Sequence, residues 1–269
     1  MQSQGERMMF CKFFVFVFLV FASSVGIVLA EQQKVVPEKN EYGGKTIETT
    51  YGVNEEQYGN LQKSISFLDS DQKMIKVEYY YKDKYVKNQG YYKATTFFDS
   101  SRKMTRIEYF FTDLYINEKG LQKKTAYFDS DEKLTREERF YTEKFSGEQG
   151  YDKKIAYFNS NEKVMRIEYF YTDTYSMNHG SFKVISYFDS DEKLAREERF
   201  YTDKFAGEQG YERKITSFDS DEKPVRIEYS YTKRFAHENG FDRAIAYLGN
   251  DGQLTKVEYY LNDNLTQVK

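Results

Sequence analysis

Short runs that mix apolar and polar residues in alternation recur along most of the chain, and clusters of turn-forming residues separate them. One segment runs from Tyr151 to Phe158, through a turn cluster at 159–163, and on from Val164 to Thr172. Both flanks are rich in Tyr, Phe, Ile and Val, which favour pleated strands. The Asn and Ser residues between them favour tight turns, because their side chains bond their own backbone. The segment therefore predicts a β-hairpin.

This pattern returns every thirty residues, and a glycine column marks the period without one insertion. The column consists of Gly90, Gly120, Gly150, Gly180, Gly210 and Gly240. A glutamate column, from Glu78 to Glu258, repeats at the same interval. A fixed period of this size indicates an array of supersecondary units. We therefore predict an all-β fold, in which seven hairpins of about thirty residues form a curved or coiled antiparallel meander, because open sheets rarely exceed ~10 strands without curling.

The amino terminus has the pattern of an export signal. An apolar run from Phe13 to Leu29 follows a polar start, and small residues precede Glu31, as a signal peptidase requires. An uncleaved anchor is the alternative reading, although a run of about 17 residues is at the short limit for a membrane span. We divide the chain into a signal peptide (1–30), an N-terminal cap or linker (31–59) and a repeat domain (60–269).

The cysteine count adds to this expectation of export. Cys11 is the only cysteine, so cleavage would leave a chain without disulfides. An exported protein without disulfides fits a bacterial envelope at least as well as a disulfide-rich secretory pathway. We expect a periplasmic, cell-surface or secreted protein with no membrane span after cleavage.

The turn cluster has its own column, which we assign to a structural role in the hairpin turn. Its members are Asp69, Asp99, Asp129, Asp189 and Asp219, with Gly252 in the last copy of the same turn. The glycine predicts a left-handed position in a three-residue loop closed by a bulge. In this register Leu68 faces Met74 and Phe67 faces Ile75. The Asp-Ser-Asp oxygens could also hold Ca²⁺, but the loop lacks the glycine and the distal glutamate of an EF-hand, so we predict no metal site.

Each hairpin is joined to the next by a connector such as residues 83–90, and each connector has one aromatic residue. The column is Tyr85, Tyr115, Phe145, Tyr175, Phe205 and Phe235. The glycine that follows is expected to adopt a positive φ and send the chain back. The ring either packs under its own loop or faces a ligand, and both readings stay open, so these six residues are candidate ligand contacts.

The charged residues, the net charge and the residue types limit the classes of function that this chain can have. Residues two apart on a strand share a face, so Arg106 and Glu108 are expected to pair, and such pairs recur every second strand. The net charge is −3, so there is no basic excess to bind nucleic acid. The only histidines, His179 and His237, occupy different columns, and no catalytic set or phosphate loop recurs in the repeats. We therefore predict no enzymatic activity and no cofactor.

Two stretches, 128–134 and 248–254, resemble the Tyr-Asp-x-x-Gly-Arg/Lys-Leu core of YD (Rhs-type) repeats. They are also similar to the aromatic–Asn-Gly-Lys-Leu turn of MORN-like repeats. The resemblance covers about residues 60–262. Both families are chains of short β-hairpins, which is the fold that the resemblance implies here.

We expect a non-enzymatic interaction or structural scaffold, in the cell envelope or outside the cell. The alternative is a module that binds glycans or cell wall through Tyr and Phe platforms. The expected partner is another protein or an envelope polysaccharide. Self-association through the open edges of the sheet is a further expectation, because unpaired edge strands accept other chains.

Overall fold

The computed structural model describes residues 32–51 and 60–269. Over these ranges the protein folds as strands joined by tight turns and short helices. The predicted signal peptide lies outside the described residues, as do residues 31 and 52–59 of the predicted cap. No helix among the described residues has the length and apolar character needed to cross a membrane.

Strands make up most of the described chain. They are β1 (Gln32–Val36), β2 (Gly43–Thr50), β3 (Leu61–Asp69), β4 (Met74–Tyr81), β5 (Tyr91–Phe98), β6 (Met104–Phe111), β7 (Leu121–Phe128), β8 (Leu134–Tyr141), β9 (Tyr151–Phe158), β10 (Val164–Tyr171), β11 (Ser181–Phe188), β12 (Leu194–Tyr201), β13 (Tyr211–Phe218), β14 (Pro224–Tyr231), β15 (Arg243–Leu248), β16 (Leu254–Leu261) and β17 (Asn264–Val268). The helices are α1 (Asp83–Gln89), α2 (Asp113–Lys119), α3 (Glu143–Gln149), α4 (Asp173–His179), α5 (Asp203–Gln209) and α6 (Lys233–Asn239).

Each strand from β2 to β16 pairs antiparallel with the strand before it and the strand after it in the sequence, and β1 and β17 each pair with one neighbour. The result is one open sheet of 17 strands. Seven hairpins, from β3–β4 to β15–β16, form its body, and β1, β2 and β17 extend it at the two ends. The predicted all-β meander of seven hairpins is confirmed.

The turn of each hairpin has the predicted geometry. In the first hairpin Leu68 faces Met74, and the N–H of Gln72 donates to the carbonyl of Asp69 at 3.1 Å. Gln72 has a φ of +61°, so the left-handed position predicted from Gly252 exists in every copy. Its other occupants are Arg102, Glu132, Glu162, Glu192, Glu222 and Gly252.

Beyond the turn, the predicted pairing is wrong by one residue. Phe67 pairs with Lys76, not with Ile75, and Ser66 pairs with Val77. A β-bulge next to the turn makes Ile75 the extra residue, and a bulge lets two residues on one strand oppose one on its partner. The same register shift occurs in each of the other hairpins. The bulge therefore decides which side chains share a face.

The observed register defines two faces of the sheet. The charged face contains, in the first hairpin, Lys63, Ile65, Phe67, Lys76, Glu78 and Tyr80, and their equivalents at thirty-residue intervals in the others. The apolar face contains Ser64, Ser66, Leu68, Met74, Val77, Tyr79 and Tyr81, and their equivalents. Alternate side chains of a strand point to opposite faces, so each strand contributes to both.

Each of the first six hairpins leads into a seven-residue helix, which the sequence analysis describes only as a connector. In α2 the Thr112 Oγ1 accepts from the N–H of Tyr115 at 3.3 Å, and Gly120 ends the helix with a φ of +67°. A threonine N-cap and a left-handed glycine are helix start and stop signals. The predicted positive φ of the connector glycines is confirmed.

Local clusters of buried apolar side chains lie on the apolar face. The charged face also buries one column of isoleucines, Ile155, Ile185, Ile215 and Ile245. One cluster joins buried Ala94, Ile107, Tyr109 and Ala126, which come from the second and third hairpins. Another is centred on Ile167, which is completely buried. Both clusters consist of neighbouring hairpins, as expected for a repeat array in which each unit packs on the next.

Candidate binding surfaces

The charged face carries the predicted ion pairs. Arg106 Nε lies 3.5 Å from Glu108 Oε1, and Arg166 Nη2 lies 3.1 Å from Glu168 Oε1. Oε2 of Glu168 also forms an ion pair with Nζ of Lys183 in the next hairpin, at 2.8 Å. Each hairpin contributes two cations and one carboxylate to this face. The face therefore has an excess of positive charge, although the whole chain is acidic.

Aromatic rings alternate with these cations. The guanidinium of Arg106 lies 4.0 Å from the ring centroid of Phe97. The ammonium group of Lys93 lies 4.8 Å from the ring of Phe110, on the next strand. Cations at such distances are attracted to the negative face of the ring. The charged face is thus a row of paired cations and rings, with one glutamate per hairpin.

A groove of 540 Å³ opens on this row between the second and third hairpins. Its lining residues are Glu108, Tyr109, Phe110, Gln122, Lys123 and Phe140. Phe110 and Phe140 occupy equivalent positions, one period apart, and exposed Lys123 lies on the strand between them. Within residues 60–269, Lys93 and Lys183 have ion-pair partners at this position, whereas Lys123 has none. The groove thus combines two rings with a lysine that is open to solvent.

The six connector aromatics, predicted as ligand contacts, are half-buried. Phe145 stacks on Tyr141 with ring centroids 4.5 Å apart, and the other five stack on the equivalent strand residue in the same way. A Cβ atom at Gly150 would lie 2.2 Å from Cδ2 of Tyr175, so the ring also packs against the glycine of the preceding unit. Packing against the protein is one of the two readings left open by the sequence. Contact with a ligand stays a prediction.

The turn aspartates lie at the ends of the strands that are opposite the connector helices. Oδ1 of Asp69 accepts from the N–H groups of Asp71 at 2.9 Å and of Lys73 at 2.8 Å. The same two bonds occur at Asp99, Asp129, Asp189 and Asp219. Gly252 occupies the left-handed position of the last turn. In the part of the chain that the structure describes, no group of three or more His, Cys, Asp or Glu residues is arranged to hold a metal ion.

The third and fifth hairpins place charges on the apolar face, which the sequence analysis did not identify. Glu137 and Arg139 occupy positions that are Ile107 and Tyr109 in the second hairpin. Glu137 is only 8% exposed and lies 2.6 Å from both Arg139 and Lys124. The near-identity of 131–150 and 191–210 was the available signal, because it separates these hairpins from their neighbours.

Burial and charge oppose one another at this carboxylate. Burial raises the pKa of Glu137, but the nearby Lys124 and Arg139 outweigh it and hold the pKa below its ordinary value. For Arg139, burial acts to lower the pKa, and Glu137 outweighs it and raises the pKa. Glu137 is therefore a carboxylate anion and Arg139 a cation at neutral pH.

Comparisons with known proteins add little to this description. No family model matches the chain, and no curated protein matches it. Two solved structures show a weak likeness. One is the crystal structure of TcdB2-TccC3 without its hypervariable C-terminal region, at 9% identity over 82% of this chain, with a TM-score of 0.15. The other is the crystal structure of TcdB2-TccC3, at 10% identity over 86% of this chain, with a TM-score of 0.16. The chain covers 14% and 15% of the length of those two chains.

Proposed function

We propose that the protein is an exported, non-enzymatic scaffold that binds an extended acidic protein along its charged face. The observation that carries the proposal is the repetition of one arrangement over seven hairpins, with two cations, a ring pair and a single glutamate in most copies. The predicted leader at 1–30 supports export.

The spacing of the charged face suits an extended partner. Equivalent residues of neighbouring hairpins lie two strands apart, which is about 10 Å. An acidic chain that follows the sheet meets a similar set of cations at each step. Weak contacts that repeat in this way add up to useful avidity without any single deep site.

A glycan is the second candidate for the charged face. The groove between Phe110 and Phe140 favours it, because two rings and a polar floor suit the apolar faces and hydroxyl groups of a sugar. This candidate needs only the groove, whereas the acidic protein needs the cations of several hairpins.

Binding to poly-L-glutamate tests the first candidate. The full chain is compared with the triple variant Lys93→Gln, Lys153→Gln and Lys183→Gln, which removes three cations from the charged face. A matched control, Lys84→Gln, Lys144→Gln and Lys204→Gln, removes three exposed cations from the connector helices. We expect saturable, salt-sensitive binding that the first triple weakens at least tenfold and the control leaves within about twofold.

Equal weakening by both triples would show that only net charge matters, and the proposal would fail. Retention of neutral cell-wall polysaccharide, lost in Phe110→Ala with Phe140→Ala, would favour the glycan instead. Absence of binding to either probe would remove both candidates for this face.

A further inference from the structure

A single row of lysines and aromatic rings crosses the charged face at one level of the strands. Lys123 on β7, for example, directly faces Phe110 on β6 and Phe140 on β8. From β5 to β12 this lysine–ring row consists of Lys93, Phe110, Lys123, Phe140, Lys153, Phe170, Lys183 and Phe200. A ligand that crosses these strands at right angles therefore meets a cation and a ring in strict alternation.

The spacing of the row limits the conformation of an extended ligand. Adjacent strands lie about 4.8 Å apart, so successive lysines of the row recur every ~9.6 Å. A ligand in a β conformation returns to the same face every ~6.7 Å, and an α-helix returns after seven residues, at ~10.5 Å. A polyproline II helix returns every third residue, at ~9.3 Å. Its repeat therefore matches the row most closely, to about 0.3 Å per step.

Two lysines in the middle of the row have no acidic partner. Lys93 and Lys183 each pair with the glutamate of the preceding hairpin, at 3.1 Å and 2.8 Å. Within residues 60–269, neither Lys123 nor Lys153 forms such a pair. Lys123 is exposed. Nζ of Lys153 lies 5.0 Å from the ring centroid of Phe140 and is not among the buried polar atoms of the described residues, so it also reaches solvent.

The rings between these lysines suit the apolar part of such a ligand. The groove of 540 Å³ is lined by Phe110 and Phe140, with Lys123 between them. Proline-rich segments in the polyproline II conformation bind in grooves lined by aromatic residues, and their helix is formed before binding. A preformed helix loses less conformational entropy when it binds. The groove therefore accepts prolines beside a carboxylate that reaches the lysine.

We infer that the partner binds as an acidic polyproline II helix, with a carboxylate at every third residue and its centre at Lys123 and Lys153. The inference rests on the acidic-partner proposal and adds the conformation and the residue pattern of that partner. Each carboxylate contacts one lysine of the row, in a charge-assisted hydrogen bond. The two residues that follow it, rich in proline, pack on the next ring.

Two synthetic peptides of equal length, composition and charge test the spacing. One has six repeats of Glu-Pro-Pro, and the other has three repeats of Glu-Pro-Glu-Pro-Pro-Pro, which separates its glutamates by two and four residues. A peptide with six repeats of Gln-Pro-Pro is the uncharged control. Calorimetry with the full chain measures the affinities. We expect the regular peptide to bind at least about fivefold more tightly than the irregular one, and the uncharged peptide not to saturate.

Two double variants test the position. Lys123→Gln with Lys153→Gln removes the two unpaired cations of the row. The matched control, Lys84→Gln with Lys144→Gln, removes two exposed cations from the connector helices and changes the net charge equally. We expect the first pair to weaken binding of the regular peptide about tenfold or more, and the control to leave it within about twofold.

Carbodiimide coupling of the regular peptide to the unaltered full chain locates the contact without any variant. The reagent joins a glutamate of the peptide to a lysine that it touches, and mass spectrometry identifies the lysine. We expect coupling at Lys123 and Lys153 and none at Lys84 and Lys144.

Equal affinities of the regular and the irregular peptide overturn the inference. In that case salt-sensitive binding of poly-L-glutamate through the charged face leaves the acidic-partner proposal standing. Equal weakening by the two double variants, or coupling at Lys84 and Lys144 in place of the row, also overturns the inference. Absence of binding by both glutamate peptides and by poly-L-glutamate removes both proposals, so the two failures are separate results.

Discussion

The glycine that ends each connector helix satisfies two requirements at once. Gly150 has a φ of +87°, which side chains rarely adopt, and a Cβ there would lie 2.2 Å from the ring of Tyr175. Glycine is thus needed both by its own helix end and by the ring of the next unit. Gly240 has a φ of +78° but nothing within 4 Å of its Cβ position, so only the first requirement applies to it.

This difference predicts the effect of alanine at the two glycines. Gly150→Ala is expected to lower the free energy of unfolding by about 2–4 kcal/mol, because backbone strain and overpacking add. Gly240→Ala should cost only the strain, about 1 kcal/mol. Urea unfolding of both variants measures the difference, and equal losses would show that the ring does not need the space.

A carboxylate in the last hairpin makes stability depend on pH. Oε1 of Glu258 accepts from Lys256 at 2.5 Å, and its Oε2 accepts from Tyr260 and Tyr247 at 2.8 Å. These bonds, that from Lys256 first, lower the pKa of Glu258 to about 2. The pKa in the unfolded chain is about 4.3. A folded pKa below the unfolded one gives stability that is present above pH ~4.3 and lost as the pH falls toward 2.

Glu258→Gln is therefore expected to destabilise the protein at pH 7 and to make its stability less sensitive to pH between about 4.3 and 2. Glu212→Gln, which changes an exposed carboxylate at a strand start, is the control. Urea unfolding along a pH series measures both. An unchanged pH profile in Glu258→Gln would mean that these hydrogen bonds do not lower the pKa.

At the scale of the element, the hairpin turn places a non-glycine residue in the left-handed region in six of seven copies. Gln72 has a φ of +61° there and Gly252 a φ of +77°. The left-handed conformation strains a residue with a Cβ but not glycine. The last turn is thus the least strained of the set.

A reciprocal exchange tests this difference. Gln72→Gly is expected to raise the free energy of unfolding by about 0.5–1 kcal/mol, and Gly252→Gln to lower it by a similar amount. Thermal melting of the two variants, together with the double exchange, measures the effect. Changes of the same sign in both would contradict the strain argument.

The sequence predicts the positions of the hairpins well, because a repeating pattern marks them. It predicts the strand register poorly, because the register depends on one extra residue in the bulge. The period and the turn residues locate the hairpins, because Asp69 and its equivalents occur where the chain reverses. The bulge at Ile75 leaves no mark in the alternation, since either of two neighbouring residues can be the extra one. At Thr105, an equivalent position, the hydroxyl donates to the Phe97 carbonyl at 3.2 Å, a contact that only the folded strand pair reveals.

The connector helices were missed for a different reason. Seven residues are too few for an amphipathic period to be recognised, and isolated helices of this length are unstable. The threonine before α2 and the glycine after it were the usable signals. The paired cations on the charged face follow from residue spacing, whereas the groove beside Lys123 and the cations facing Arg139 depend on the register set by the bulge.

At the scale of the whole molecule, the ion pairs, ring contacts and core clusters described here join a unit only to itself or its neighbours. In the turns, for instance, Oε1 of Glu132 accepts from the N–H of Met104, and Lys163 Nζ donates to the carbonyl of Ser190, each to the adjacent hairpin. Stability of such an array is approximately a sum of unit and interface terms.

Removal of Asp131–Ser190 tests this modularity. The deletion takes out sixty residues and joins two nearly identical sequences, so most contacts at the junction are restored. The bond from the Thr135 hydroxyl to the Tyr127 carbonyl is lost, because Ala195 takes the place of Thr135. We expect a folded protein with a lower melting temperature and unchanged β-type circular dichroism per residue. Removal of 131–175 takes out one and a half periods and is expected to unfold the region or cause aggregation. Equal behaviour of the two deletions would contradict a modular array.

The contacts beside the connector glycines run in one direction along the array, and Gly240 is the last of these glycines. The aromatic ring of each connector packs beside the glycine of the preceding connector. The space beside Gly240 is open, and the ring of one more repeat would fit there. Lengthening the gene by whole thirty-residue multiples therefore preserves the geometry, whereas gain or loss of a few codons does not. Recombination between the two near-identical segments, 131–150 and 191–210, would change the length of the array by sixty residues, which is two units at a time.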